Sequence, residues 1–367
     1  MRVFALADGF RPLPSLPAEL PATGYLWVAL RREQLREQLG LLQAALQGWG
    51  IGPLVDLHVS DLLNQQLPSH FDYTSWYDLL VFRRLAAGAP TAGDQDTEVV
   101  SAVTAAQTLA TIDTNPVGFA MFDRVLITVH PSDCQVRDFF IDRLAQMSEG
   151  HAGARLPASP ADLMLRIVNH MVDGYLALRR LLTRDLTALQ QELLGPRPRH
   201  IDWRALLAAR NTLHQLEELC EDQRSAVQEW IDALAEWPPA AAETQAQRER
   251  ELLSVRSRDV LEHIERVLSH VRRLETSIES AVQMHFSALG QRTNDIMRTL
   301  TVLTAIFLPL NLITGIFGMN FDAIPLIHSS TGFWVAMLVM VAVAISLVGY
   351  FWRKRYLASS SVTPGSD

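Results

Sequence analysis

The sequence predicts an α+β membrane protein: an N-terminal α/β domain, a long helix, and two transmembrane helices at the C-terminal end. Three observations lead there. Residues 299–321 form an uncharged run of 23 and residues 333–352 one of 20, each long enough for a helix to cross the roughly 30 Å hydrocarbon core of a bilayer. No proline lies between Pro239 and Pro309 and no glycine between Pro239 and Gly290, so a helix from about 245 to 317 meets its first glycine at Gly290 and its first proline only within the first span. Residues 1–150, by contrast, alternate short apolar runs with helical patterns across Pro- and Gly-containing loops.

In the first 150 residues, strands are expected at 25–30, 79–82, 125–129 and in a run near 99–112, with helices at 33–49 and 136–147. This reads as an α/β domain around a small central sheet. It contains no G-x-G-x-x-G, Walker or G-x-S-x-G sequence. Residues 88–97, rich in small and polar types, read as a turn or surface loop.

Residues 151–239 read as a helical hairpin. Leu163, Ile167, Met171, Tyr175, Leu178, Leu182 and Leu186 recur at three- or four-residue steps, predicting one helix over about 160–194 that ends at Gly195-Pro196. The second helix, about 203–237, carries Glu217, Glu218, Glu221, Asp222, Glu229, Asp232 and Glu236 and is stopped by Pro238-Pro239. Such a face is either simply solvated or an attractor of cations.

Residues 240–295 form the expected stalk helix. With the first span included it would extend on the order of 110 Å at 1.5 Å per residue. Leu253, Val260, Ile264, Val267, Val271, Leu274, Ile278 and Val282 make a heptad-like stripe, which should pack on neighbouring helices or on other copies of the chain. Transmembrane helix 1 occupies 296–317, a connecting loop 318–332, transmembrane helix 2 333–352 and a basic tail 353–367.

The 367 residues allow a soluble domain of roughly 250 residues beside the membrane part. A net charge of −8 argues against nucleic acid as a partner. Cys134 and Cys220 are too few for a disulfide framework or a cysteine-based zinc site. The N-terminus has no signal-peptide core, so the soluble part is expected inside the cell. Arg292 and Arg298 precede the first span, Arg353, Lys354 and Arg355 follow the second, and 318–332 contains no Lys or Arg. Both termini are therefore expected on the cytoplasmic side.

The first span is more than an anchor. Asn294, Met297, Thr301, Thr304, Leu308, Asn311 and Gly315 fall on one helix face, a small or polar stripe in a hydrocarbon setting. Close helix packing and a water-facing surface both account for it. The span ends in Gly318-Met319-Asn320, followed by Phe321-Asp322. This ending resembles the signature of the CorA family of divalent-cation channels, in which a Gly-Met-Asn triplet closes the first of two C-terminal membrane helices. The resemblance extends back through Pro309, Met297 and Asn294 to Arg258-Asp259-Val260, and is residue-specific from about 258 to 322.

The resemblance implies a homopentamer in the bacterial inner membrane, its pore lined by the first span, with Gly318, Met319 and Asn320 as selectivity filter. It implies transported Mg²⁺ or Co²⁺ and no prosthetic group. Met297 and Leu300 match the family's hydrophobic constriction, with ordinary packing the other reading. Asp259 matches a carboxylate that binds a regulatory cation, but the family's partner carboxylate after the 79–82 strand is replaced by Arg83-Arg84. A surface salt bridge to Arg256 or Arg258 is the alternative for Asp259. Arg353, Lys354 and Arg355 resemble a basic collar at the inner neck, or a membrane anchor. His263 and His270 share one stalk face without a further ligand to complete a metal site.

ZntB-type zinc transporters share this architecture, and the acid common after the motif in magnesium-type members is absent from Asp322-Ala323-Ile324-Pro325-Leu326-Ile327-His328. The ion is therefore Mg²⁺ or Zn²⁺ at this stage. A non-conducting membrane-tethered scaffold is the reading from another class. An enzyme is disfavoured, because no paired base and nucleophile is visible.

Overall fold

A computed structural model of the chain describes residues 1–7, 9–85, 112–132, 134–148, 155–194, 203–237, 244–319 and 331–354. They form two compact units, 1–280 and 281–367.

The first unit is built on a seven-stranded sheet of order β2-β1-β3-β7-β6-β5-β4, from β1 (Arg2–Leu6), β2 (Phe10–Leu13), β3 (Tyr25–Arg31), β4 (His70–Tyr73), β5 (Asp78–Arg83), β6 (Pro116–Met121) and β7 (Val125–His130). Only β3 and β7 pair in parallel, with Leu26 opposite Val125; every other pair is antiparallel. The central strands β3, β6 and β7 bury six consecutive residues each, because helices cover both faces and no residue alternates into solvent. The edge strand β2 accommodates Pro12, which lacks a ladder donor.

One face carries α1 (Arg32–Gly48) and α2 (Asp56–Leu63), whose Leu35, Leu42, Leu46, Val59 and Leu62 pack with Val28, Leu79 and Ile127. A Cβ at Gly118 on β6 would fall inside van der Waals contact of Leu62 Cδ2, so α2 approaches the sheet this closely only over a glycine. The other face meets α3 (Gln135–Ser148), α4 (Pro160–Asp173), α5 (Tyr175–Leu194) and α6 (Trp203–Glu236), of which α3, α4 and α6 touch the strands directly.

The expected single helix over 160–194 is two helices, separated at Gly174. Apolar periodicity continues through the break, whereas glycine costs about 1 kcal/mol relative to alanine inside a helix, so the chain turns there at low cost. The start of α4 is set by Ser159, whose Oγ accepts from the Asp162 amide at 3.3 Å, with Pro160 in the first turn. Strands β1, β2, β4 and β6 and helix α2 were not expected from the sequence. The expected strand near 99–112 and loop at 88–97 lie, apart from Ile112, outside the described residues.

The long helix α7 spans Thr244–Phe317, 74 residues, and carries Pro309 inside it. Its stripe residues Leu253, Val260, Ile264, Val267, Val271 and Ile278 are buried. They pack within the chain. Trp230 Nε1 donates to Ser257 Oγ (2.9 Å), Arg272 Nε to Glu217 Oε1 (2.6 Å) and Arg210 Nη2 to Glu279 Oε1 (2.9 Å), so α6 runs antiparallel to α7. Several acids of α6 therefore face the arginines of α7; Arg272, which also pairs with Glu221, holds the Glu217 carboxyl below its usual range. The second unit contains the remainder of α7, from Ala281, and α8 (Gly332–Arg353).

Candidate functional site

Within the second unit, the face of α7 that is buried or half-buried comprises Val302, Ala305, Ile306, Pro309, Leu310 and Ile313. At 100° per residue the stripe of Asn294, Met297, Thr301, Thr304, Leu308, Asn311 and Gly315 lies about 140° round the helix from that face. All seven stripe residues are exposed, as is Leu300, with Met297 at 59% and Leu308 at 69%. The sequence-predicted stripe is uncovered within this chain, as are Leu303, Phe307, Leu312 and Ile316 elsewhere on the same span.

Its polar groups are arranged for a low-dielectric setting. Thr301 Oγ1 donates to Met297 O (2.8 Å) and Thr304 Oγ1 to Leu300 O (2.9 Å), as Thr299 does to Asp295 O and Thr314 to Asn311 O. Each hydroxyl proton is spent on the helix's own backbone, which leaves the oxygen as an outward acceptor. Residues of the type Phe307, Leu312 and Ile316 are exposed as well, and α7 and α8 each contain a stretch long and apolar enough to cross a membrane.

At the end of α7 the Gly318 amide donates to Thr314 O (2.9 Å) and the Met319 amide to Ile316 O (3.2 Å), closing the helix in a turn at the Gly-Met pair. A Cβ at Gly318 would meet Thr314 O at 3.1 Å, tighter than ordinary contact, so glycine suits this turn. Asn320 lies outside the described residues, as do Asp322, Pro325, His328 and Arg355. Arg353 is the last residue of α8 and Lys354 its C-cap.

Asp259 sits on the first-unit part of α7 with its side chain 58% exposed, and neither expected arginine pairs with it. Arg256 turns to Asp162, a carboxylate that is almost fully buried and also held by Arg166. The partner of Asp259 is His263, one turn on, with Nε2 3.9 Å from Oδ1. The other ring nitrogen of His263 lies 3.6 Å from Oδ1 of Asp173 at the end of α4. The two carboxylates thus sit at opposite nitrogens of one imidazole, a chain of ion pairs and not a shared donor set for one cation. The four-residue spacing of Asp259 and His263 is a signal the sequence holds, whereas nothing in it points to Asp173. His270, by contrast, is buried and hydrogen-bonded to Tyr175 Oη at 2.7 Å.

Arg83 and Arg84, which stand where the family's second carboxylate was expected, are structural. Arg83 Nη1 donates to the Gln65 and Leu67 carbonyls (3.0 Å each), and Arg84 pairs with Asp113.

A family model described as CorA-like Mg²⁺ transporter protein matches residues 92–355. The chain belongs to the CorA-like Mg²⁺ transporter family. The cobalt/magnesium transport protein CorA of Thermotoga maritima is 27% identical over 202 residues, covering 53% of this chain and 52% of that relative. The chain thus matches about half the length of this CorA relative. Among solved structures, the complete CorA magnesium transporter of Methanocaldococcus jannaschii superposes with a TM-score of 0.69 at 18% identity, over 96% of this chain and 97% of that one. The full-length CmaX protein gives 0.58 at 18% identity over 97% of each chain. The CorA fold, a soluble α/β domain with a long helix and apolar C-terminal helices, therefore extends over the whole chain.

Proposed function

We propose that the chain is a channel for hydrated Mg²⁺ or Co²⁺, acting as a homopentamer in the bacterial inner membrane with both termini cytoplasmic. The observation that carries this reading is the uncovered stripe from Asn294 to Gly315, which leads into the Gly318-Met319 turn. A single copy would turn Asn311 and the threonines toward lipid, an unfavourable arrangement that self-association about the stripe removes. Two membrane helices per chain cannot enclose water, so a lumen requires several copies.

In such an assembly Asn320 supplies a ring of amide oxygens at the outer mouth, beside the backbone carbonyls of Gly318 and Met319. Mg²⁺ sheds its waters reluctantly, and neutral oxygens can bind its hydration shell without holding the ion too tightly to release it. Asn311 and the outward oxygens of Thr304 and Thr301 offer further hydration-compatible rings. Met297 and Leu300 form the hydrophobic constriction, which closes by dewetting. Arg353, Lys354 and Arg355 form a basic collar. Asp259 contributes to a regulatory cation site between neighbouring copies, whose occupancy restrains the gate through α7.

The test is uptake into proteoliposomes loaded with a Mg²⁺ indicator and, separately, a Zn²⁺ indicator, with and without a pH gradient, for wild type and Asn320→Ala. Mg²⁺ flux that is lost in the variant and indifferent to the pH gradient is the expected result. Zn²⁺ flux driven by the proton gradient would replace this reading with a zinc transporter. A correctly assembled oligomer that passes neither ion would point to a scaffold.

A further inference from the structure

A cavity of about 700 Å³ lies in the first unit, and neither Asp259 nor His263 is among its lining residues. Its walls come from the β4–β5 turn, the β6–β7 turn, the start of α4, the end of α6 and the first turns of α7. The volume falls within the roughly 300–1,000 Å³ typical of small-molecule sites and far exceeds the space one hydrated ion needs.

The lining is aromatic, and much of it is held in place. Trp230 is 1% exposed, its Nε1 bound to Ser257 Oγ and its ring packed edge-on against Trp237 at 5.9 Å between centroids. Tyr77 Oη accepts from the Val55 amide (2.9 Å) and hydrogen-bonds His58 Nδ1 (2.8 Å). Trp76 stands at the rim, 60% exposed, against Gly52, where a Cβ would come within 3.0 Å of the indole. Such a surface-exposed indole contributes little to the core.

The charge is one-sided. Asp78 and Asp123 line the sheet wall, Glu236 and Glu249 the helical wall, and Arg250 is the single base among the described lining residues. Burial, with the nearby Asp123 carboxylate adding to it, raises the Asp78 carboxyl to about 6. A cation beside it would relieve both effects. Aromatic faces attract cations and accept alkyl chains, yet they do not ligate bare Mg²⁺, which requires a shell of oxygens. Carboxylates from the strand turns and from the helices share this lining with indole rings, a combination that calls for a ligand with cationic ends and an apolar middle.

We propose that this cavity binds an aliphatic polyamine, with ammonium groups at the carboxylates of the two walls and methylene spacers against the indole rings. The ligand would tie the sheet edge to the first turns of α7.

The test is titration of the full-length protein in neutral detergent with spermidine at constant ionic strength, read by calorimetry and by tryptophan fluorescence. Mg²⁺ and choline are titrated separately, and Trp76→Ala and Asp78→Asn are compared after circular dichroism has verified the fold. Saturable spermidine binding accompanied by a fluorescence change is expected, weakened about tenfold by each substitution. Choline, with one charge, should bind more weakly than spermidine. The proposal is overturned if wild type shows no saturable spermidine binding, if both variants bind as wild type does, or if Mg²⁺ reproduces the signal in a way that Trp76→Ala leaves unchanged.

Discussion

Asp162→Ala tests how α7 is fastened to the soluble domain. The Asp162 side chain is 3% exposed and ties three elements together. Oδ2 accepts from the Ala158 amide (3.1 Å), closing the turn before α4; Arg166 donates to both oxygens at 3.3 and 3.2 Å; and Arg256 reaches across from α7. Removing one partner of a buried ion pair costs about 3–5 kcal/mol, because the charge left behind has lost both its partner and its water. Here Arg166 and Arg256 keep 22% and 31% of their side-chain surface exposed, so each recovers part of its hydration. The lower end, about 3 kcal/mol, is therefore expected. For a domain of this size that corresponds to a fall in Tm of about 6–12 °C. Near-UV circular dichroism of the full-length protein reads it directly, since Trp27 and Trp230 are both buried in the first unit. Asp162→Asn, which keeps an acceptor oxygen without the charge, should fall between wild type and Asp162→Ala. A shift below about 2 °C for Asp162→Ala would refute the reasoning, because that is the response of an exposed pair worth under about 1 kcal/mol.

Three further outcomes are expected. The folded-state pKa of Asp78, raised to about 6, lies above the ordinary aspartate value of 3.8, so the folded protein binds this proton more tightly than the unfolded chain does. The cost of the charged form is present in full above about pH 6 and disappears as the pH falls toward 4. Asp78→Asn should accordingly be more stable than wild type at pH 7, by about 1–2 kcal/mol after allowance for partial solvent screening, and equal to it near pH 4 in denaturant unfolding. Asp259→Ala should raise the internal Mg²⁺ concentration that halves uptake by about tenfold in proteoliposomes, with unchanged flux at low internal Mg²⁺; an unaltered dose response would reduce Asp259 to a surface ion pair with His263. Gly118→Val should destabilise the first unit by about 1–3 kcal/mol through overpacking against Leu62, measured by the same melting assay; no change would mean that α2 gives way freely.

What could be read from the chain alone followed from properties that do not depend on distant partners. The uncharged runs are set by bilayer thickness, and α7 by a stretch with no proline before Pro309 and no glycine before Gly290, so both spans and the long helix were legible almost to the residue. β3 and β7 announced themselves because strands buried on both faces are continuously apolar. The stripe from Asn294 to Gly315 was legible for the same reason: helical periodicity is a local property. Tertiary structure decided the rest. β6, with Pro116 and Gly118, resembles a loop until Leu62 packs on its glycine, and the edge strands are too short and mixed to stand out. The break at Gly174 interrupts a periodicity that the sequence carries straight through. Asp259 pairs with His263, one turn along α7, instead of a neighbouring arginine, and the other nitrogen of that ring meets Asp173 only because α4 ends beside α7. The aromatic cavity combines five separate segments, and only the packed fold brings them to one wall. Local signals specify each element's own conformation, whereas ion pairs and cavities depend on side chains far apart in sequence, whose meeting is fixed only when the core closes.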